Sequence, residues 1–243
     1  MERREVCLVI GAGDGLGGAI ARAFAGAGHP VVLTRRARHL DQLEALAREI
    51  GPDAHALGID ARSEEETAAL FDRVEREIGP IGVVVFNIGA NVRFGIRETT
   101  ARVFTKVWEM ACFAGFLAGR EAARVMAPRG GGSILFTGAT ASMRGREGYA
   151  AFAAAKAGLR MLAQSLAREL GPEGIHVAHV ICDGAIDGVF TRERHDSAEV
   201  ERLLDEDAIL KPEDIAQSFV WLRNQPRSAW RHEIDLRPWK EAW

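Results

Sequence analysis

The sequence predicts an α/β protein: a single Rossmann-type, doubly wound domain over residues 1–243, with a seven-stranded parallel sheet and helices on both faces. Three observations carry that expectation. Apolar runs of strand length alternate with helical stripes along the whole chain. The runs are almost continuously apolar, as strands buried on both faces are. The first of them, Val6–Ile10, breaks into Gly11-Ala-Gly-Asp-Gly-Leu-Gly17 and then into a helical pattern with Ile20, Phe24 and Ala27 on one face.

The elements follow in order. Residues 30–34 form a second strand, and Leu40, Leu43, Leu46, Ala47 and Ile50 form the stripe of a second helix ended by Gly51-Pro52. A third strand spans 54–59. Ser63 and Glu66 have the spacing of a capping box for a helix that buries Phe71, Val74 and Ile78. The acidic run 64–66 then sits in a first turn, where the helix dipole favours it. Residues 83–86 are a fourth strand, running into Asn87-Ile-Gly89. A long helix spans 101–126, and a fifth strand 133–136. Ala150–Leu170 is a helix with Leu159, Leu162, Leu166 and Leu170 on one face. A sixth strand covers 176–181, a last helix 212–222 and a seventh strand Glu233–Leu236. The polar segment 188–207 has no core stripe and reads as a flexible flap.

Bulk properties narrow the function classes. The 243 residues are 47% hydrophobic and 27% charged, which suits a globular protein with a substantial core. A formal charge of −3 gives no reason to expect nucleic acid or an anionic membrane as partner. No apolar run reaches spanning length, and the first residues run straight into a strand without a signal-peptide pattern. The three cysteines, Cys7, Cys112 and Cys182, are far apart in apolar contexts. They read as buried thiols in a reducing, cytoplasmic setting, with neither a disulfide frame nor a metal site.

The opening turn carries the strongest chemical signal. Two glycine patterns overlap there, Gly13-x-Gly15-x-x-Gly18 and Gly11-x-x-x-Gly15-x-Gly17. Glycine tolerates positive φ and lets backbone N–H groups come close to a ligand. Free N–H groups at the helix start then face a pyrophosphate. At the end of the second strand, an acid would hold the ribose 2′-hydroxyl of NAD, whereas arginine accommodates the 2′-phosphate of NADP. The chain has Thr34-Arg35-Arg36 there, with Arg38 close by. Arg35 and Arg36 are candidate phosphate ligands because the guanidinium fork gives paired, charge-assisted hydrogen bonds. NADP(H) is the expected cofactor, with NAD(H) as the second choice.

Along essentially its full length the chain resembles a short-chain dehydrogenase/reductase. The resemblance rests on Gly11-x-x-x-Gly15-x-Gly17, Asp60, Asn87-Ile-Gly89, the block 133–170 with Lys156, and Pro212-Glu-Asp. It implies that Gly11, Gly13, Gly15, Leu16 and Gly17 embrace the pyrophosphate, and that Asp60 with Ala61 meets the adenine. It implies that Asn87 and Gly89 hold the fourth strand beside the cofactor, that Lys156 binds the ribose, and that Asp183 and Gly184 lie near the nicotinamide. Asp60 reads equally as a helix-entry residue, Asn87 as a plain turn residue, and Asp183 and Asp187 as turn and cap residues.

The reacting centre departs from the family's Asn, Ser, Tyr and Lys. Four residues before Lys156 stands Phe152 where the tyrosine belongs; Ala139 stands for the serine and Cys112 for the asparagine. The pattern resembles a divergent subgroup with Phe for the tyrosine. Tyr149, the sole tyrosine, lies two helical turns from Lys156 and is the candidate replacement donor or else a rim aromatic. Thr140 and Ser142 are further hydroxyls, and Arg144 and Arg146 are expected at the pocket mouth. His176 and His179 point to opposite faces of one strand and cannot share an ion; His195 reads as a surface residue. Trp230, Trp239 and Trp243 suggest a tail packed on the body or on a partner. The small residues Ala111, Ala114, Ala118, Ala153, Ala154 and Ala157 on two helices point, with the resemblance, to a homo-oligomer, a dimer or tetramer. The expected function is hydride exchange with a small carbonyl, hydroxyl or activated alkene substrate. The alternative is a nucleotide-binding homologue without turnover.

Overall fold

Each strand returns to the sheet through a helix, so every neighbouring pair runs parallel. In a computed structural model describing residues 4–241, the strands are β1 (Val6–Ile10), β2 (Val31–Arg35), β3 (Ala54–Gly58), β4 (Ile81–Phe86), β5 (Gly132–Thr137), β6 (Ile175–Cys182) and β7 (Glu233–Leu236). They lie in the order β3-β2-β1-β4-β5-β6-β7. The direction of winding reverses between β1 and β4, and the C-terminal ends Ile10, Thr34 and Phe86 stand side by side there. Such a reversal opens a crevice above the strand ends.

Two apolar layers sandwich the sheet. On one face α1 (Leu16–Gly26), α2 (Leu40–Ile50) and α9 (Pro212–Arg223) bury Ile20, Phe24, Leu43, Leu46, Ile215 and Phe219 against alternate strand residues. On the other, α3 (Glu64–Glu77), the long helix 101–126 and α6 (Ala150–Leu170) bury Phe71, Val74, Leu159 and Leu170. The two-sided burial explains why β1, β4, β5 and β6 are apolar at nearly every position.

Several local expectations change. The Ser63 hydroxyl accepts from the Glu66 N–H at 3.1 Å, but the Glu66 carboxylate reaches back to the Asp60 N–H at 2.9 Å, so the reciprocal half of the box lands three residues early. Ala27 is an exposed C-cap rather than a core residue. The segment 188–207 contains α7 (Val189–Arg192) and α8 (Ser197–Asp205), with Val200 fully buried beneath them. The Asp196 side chain caps α8 by accepting from Glu199 N–H at 2.8 Å. The long helix is α4 (Ala101–Trp108) and α5 (Ala114–Met126) joined by a π-helical stretch, Glu109–Phe113. Ala111, Ala114 and Ala118 are consumed by the chain's own core, while Ala154 and Ala157 are exposed. Trp230 stacks on His176 with ring centroids 4.9 Å apart, whereas Trp239 is 75% exposed and donates to the Glu206 carbonyl. Trp243 lies outside the described residues. Among the described residues no helix is long and apolar enough to cross a membrane.

Candidate active site

The crevice at the strand reversal is a cleft of about 530 Å³. One wall is the turn from β1 into α1, and its glycines divide by function. Gly11 has φ +95°, and a Cβ there would lie 3.0 Å from the Asn87 carbonyl oxygen. A Cβ on Gly17 would lie 2.5 Å from the Gly11 carbonyl oxygen. Both are therefore required for the turn to close. Gly15 differs: a Cβ there would meet nothing within 4 Å, so the open side of the turn faces the cleft. Gly13 lies beneath the Arg35 guanidinium, 3.4 Å from where its Cβ would be. Leu16 also lines the cleft and starts α1, whose first N–H groups lack intrahelical partners. Asn87 ties this turn to β4: its N–H donates to the Ile10 carbonyl at 2.8 Å and its Nδ2 to the Gly11 carbonyl at 3.1 Å. Gly89 lines the cleft with open space above it.

The second wall is basic. Arg35, Arg36 and His39 come from the end of β2 and the turn after it, and Asp60, Ala61 and Arg62 from the turn after β3. Asp60 is bound to Arg62 through Oδ1–Nε at 2.9 Å and Oδ2–Nη2 at 2.5 Å, and this pairing holds its carboxyl below the usual range. It does not cap α3; Ser63 does. Arg35 donates to Gln42 at 3.2 Å. Arg36 is half-buried, and burial first, then the charges of Arg38 and Arg62, pull its guanidinium below its ordinary value. Positive charge is crowded here beyond what Asp60 neutralises.

The third group lies behind the wall formed by Ile88 and Gly89. Lys156 is 2% exposed, and its Nζ donates to the Ile88 carbonyl at 3.0 Å and the Thr137 carbonyl at 2.8 Å. Those bonds pin the ends of β4 and β5 together. Burial lowers its pKa to about 8. Beside it, Phe152 and Cys112 share one buried apolar cluster with Val107, Ala111, Ala151 and Ala155, and Ala139 and Tyr149 pack against that cluster. The three substituted positions thus converge, and none of them carries a hydroxyl or amide. Cys112 lies in the π-helical stretch, with a thiol pushed up by burial. Tyr149 is half-buried at the start of α6, with the Arg93 guanidinium 6.0 Å from its ring centroid. It makes no bond to Lys156, whose Nζ donates to the two backbone carbonyls of Ile88 and Thr137.

Other expected residues are not brought to the cleft. Asp183 is fully buried and held between Arg144, at 3.0 Å, and Arg237, at 3.0 Å. Arg144 is therefore occupied and does not present itself at the mouth. Gly184 packs on Pro238, which a Cβ would approach to 2.7 Å. Neither Asp183 nor Gly184 lines the cleft. Asp187 is paired with Arg192 at 2.7 Å. Ser142 accepts from the Ala139 N–H at 3.1 Å, a loop role. His176 meets the Arg231 carbonyl, His179 meets Glu233 at 3.0 Å, and His195 meets Glu199 at 3.0 Å. Among the described residues no group of His, Cys, Asp and Glu is placed to hold a metal ion.

Further residues at the site escaped the sequence reading. Arg62 had a signal, an arginine two positions after Asp60. Met110 enters the cleft from the π-helical stretch, and Val189 with Phe190 reaches it from α7. Ala90 has φ 131°, an angle L residues rarely adopt, at the turn that delivers Ile88 to Lys156. Nothing in an alanine foretells it.

Comparison with known proteins gives a consistent result. The sequence profile of a family described as enoyl-(acyl carrier protein) reductase matches residues 11–229. A short-chain dehydrogenase from Rhodopseudomonas palustris is 45% identical in its crystal structure, with a TM-score of 0.82 over 98% of this chain and 100% of that one. A metagenomic short-chain oxidoreductase crystallised with NADP is 27% identical, with a TM-score of 0.81 over 98% of both chains. The 3-oxoacyl-[acyl-carrier-protein] reductase of Bos taurus is 28% identical over 231 residues, covering 91% of this chain and 92% of its own.

Proposed function

The chain belongs to the short-chain dehydrogenase/reductase family, and from that membership we propose an NADP(H)-dependent oxidoreductase with an altered proton-transfer centre. The observation that carries the cofactor reading is the crowding of Arg35, Arg36 and Arg62 on one cleft wall with Arg38 close to Arg36, which burial and like charge displace from its ordinary ionisation. A dianionic 2′-phosphate relieves that crowding; a bare ribose hydroxyl does not.

The residues present fit the cofactor. The open face of Gly15, with Gly11, Leu16 and Gly17 shaping the turn and Gly13 beneath Arg35, would receive the pyrophosphate at the start of α1. Asp60 and Ala61 would flank the adenine, Asn87 and Gly89 the middle of the molecule, and Lys156 the nicotinamide ribose through its remaining N–H. Asp183 and Gly184 are left out, because the carboxylate is engaged by two arginines and the glycine by Pro238. When bound, the nicotinamide supplies or accepts the hydride.

The proton is the difficulty. A positioned general acid is worth roughly 10²–10⁴-fold, or about 3–5 kcal/mol of barrier. An oxyanion donor is worth about 2.7–4 kcal/mol, and such losses overlap rather than add. Phe152, Ala139 and Cys112 supply neither function as the family does. Tyr149 is the hydroxyl that packs on their cluster, so it is the proposed proton donor, with water as its substitute. The substrate is a small carbonyl, hydroxyl or activated alkene compound. The same apolar convergence favours a second reading, a nucleotide-binding protein without turnover.

NADPH binding followed by fluorescence, with oxidation measured across a carbonyl and enoyl panel, separates the two. Binding with turnover supports the oxidoreductase; binding without turnover on any substrate supports the second reading; no binding overturns both. An oligomer is also proposed: Phe104, Trp108, Phe116 and Met161 are exposed on the α4, α5 and α6 faces. The buried free thiols support a cytoplasmic setting, and neither nucleic acid nor membrane is proposed as a partner.

A further inference from the structure

Several arginines near the C-terminal ends of the strands meet a carboxylate among the described residues: Arg62 meets Asp60, Arg144 meets Asp183, Arg160 meets Glu233 and Arg192 meets Asp187. Arg93, Arg97, Arg146 and Arg194 do not, and they stand apart from the basic wall at the end of β2. Arg93 lies over the Tyr149 ring, and Arg194 lies 3.2 Å from the centroid of Phe190 and donates to its carbonyl. Arg97 follows in the same loop as Arg93. Arg146 lies in the loop 143–149, which is tied to the first by the Phe94 N–H donating to the Gly148 carbonyl at 2.9 Å. All four therefore sit on segments leaving the C-terminal ends of β4, β5 and β6, at the mouth above the Phe152 cluster.

The same segments expose large apolar side chains. Ile96 is 73% and Val189 70% exposed, with Phe94 and Phe190 nearly half so. Val189 and Phe190 also line the cleft, so exposed apolar surface is continuous with its interior. Below it, Ala90, Val92 and Tyr149 continue the apolar lining to Phe152. A purely ionic ligand would leave this surface in water. A purely apolar one would leave four exposed guanidinium groups beside it without a counter-charge.

We propose that the mouth takes an amphiphilic anion: a substrate with an apolar body and one anionic group, the body crossing Ile96, Phe94 and Phe190 toward Phe152 and the charge resting on Arg93, Arg97, Arg146 or Arg194. This deepens the oxidoreductase reading by naming its substrate class, and it excludes cationic and polyhydroxylated substrates.

The test is calorimetric titration of the full chain, with and without saturating NADPH, using decanoate below its micellar range. 1-Decanol serves as the neutral equivalent and acetate as the charge without the body. Decanoate is expected to bind at one saturable site at least ~10-fold more tightly than either, about one charge-assisted hydrogen bond's worth. The combined variant Arg93→Gln, Arg97→Gln, Arg146→Gln and Arg194→Gln should bring decanoate down to the level of decanol while leaving decanol unchanged, and Ile96→Ser should weaken both. Melting temperatures of the variants guard against misfolding. Equal binding of decanoate and decanol, equal binding of decanoate and acetate, or no saturable decanoate site in either state overturns the inference. Failure of NADPH to bind overturns the cofactor reading instead, and the cofactor-free titration still decides the mouth.

Discussion

Arg36 faces the cleft with three like charges around it and one carboxylate, already held by Arg62, to offset them. Arg36→Ala should therefore weaken NADPH by ~10-fold or more, the worth of one charge-assisted hydrogen bond, and leave NADH nearly unchanged. Fluorescence titration of both cofactors checks it; equal losses would show that Arg36 does not meet the 2′-phosphate. At Phe152 the expectation runs toward gain. Phe152→Tyr with Ala139→Ser restores two hydroxyls next to Lys156 and should raise carbonyl reduction by ~10²-fold, the lower end of a general acid's worth, because Cys112 still stands for the asparagine. Initial rates with a panel of ketones measure it, and a melting curve reports any strain from the added hydroxyls. Single residues also mark where the sequence was legible. The positions of the turn glycines, Asn87, Arg35 and Arg36 at the cleft were readable because each follows a strand end at a short, fixed spacing. Asp183 was not: its spacing places it near the site, but Arg144 and Arg237, 39 residues before and 54 after, turn its carboxylate away. Local sequence carries no record of partners so distant.

At the scale of the element, the turn from β1 into α1 separates folding from binding within one glycine motif. Gly17→Ala would drive a methyl into the Gly11 carbonyl and should lower the melting temperature and NADPH affinity together. Gly15→Ala meets no protein atom, so it should leave the melting temperature unchanged while weakening NADPH, since the methyl occupies the ligand's side. Strand β6 supplies a second test. Burial lowers His179 to about 4 from an ordinary 6.5, against the opposing hydrogen bond from Glu233. Between those values the unfolded chain binds a proton that the folded chain refuses. Stability should thus fall as pH drops from 6.5 to 4, by on the order of 2–3 kcal/mol from this group. Denaturant midpoints across that window should flatten in His179→Gln. Helices and strands were legible from periodicity, since both faces of the sheet demand it. The π-helical stretch was not, because Glu109–Phe113 keeps the apolar residues of an ordinary helix. One extra residue in the turn is what brings Met110 to the cleft and Cys112 to Lys156.

For the whole molecule, the parallel sheet of seven strands and the helices on both its faces were legible because apolar strands alternating with helices admit few alternatives. Half of the alanines named from the sequence, Ala111, Ala114 and Ala118, are internal, and aromatic side chains are exposed on the same long helix. Trp108 and Phe116 each stack on Phe113, with centroids 6.0 and 6.1 Å away. Light scattering at micromolar concentration should report a dimer or tetramer, and Trp108→Glu with Phe116→Glu should yield monomers; a wild-type monomer would refute the proposed interface. The clamp on Asp183 bears on synthesis. The N-terminal strands and the glycine turn find their sheet partners as soon as β4 and Asn87 are made. Arg237 follows Asp183 by 54 residues, and until it emerges, a fully buried carboxylate has Arg144 alone, a state costly in a low-dielectric interior. The sheet beside the nucleotide cleft can thus pair before the end of β6 and the loop after β5 are locked, a step that waits for residue 237. A nascent or truncated chain lacking residue 237 would hold its cofactor beside an unfinished mouth.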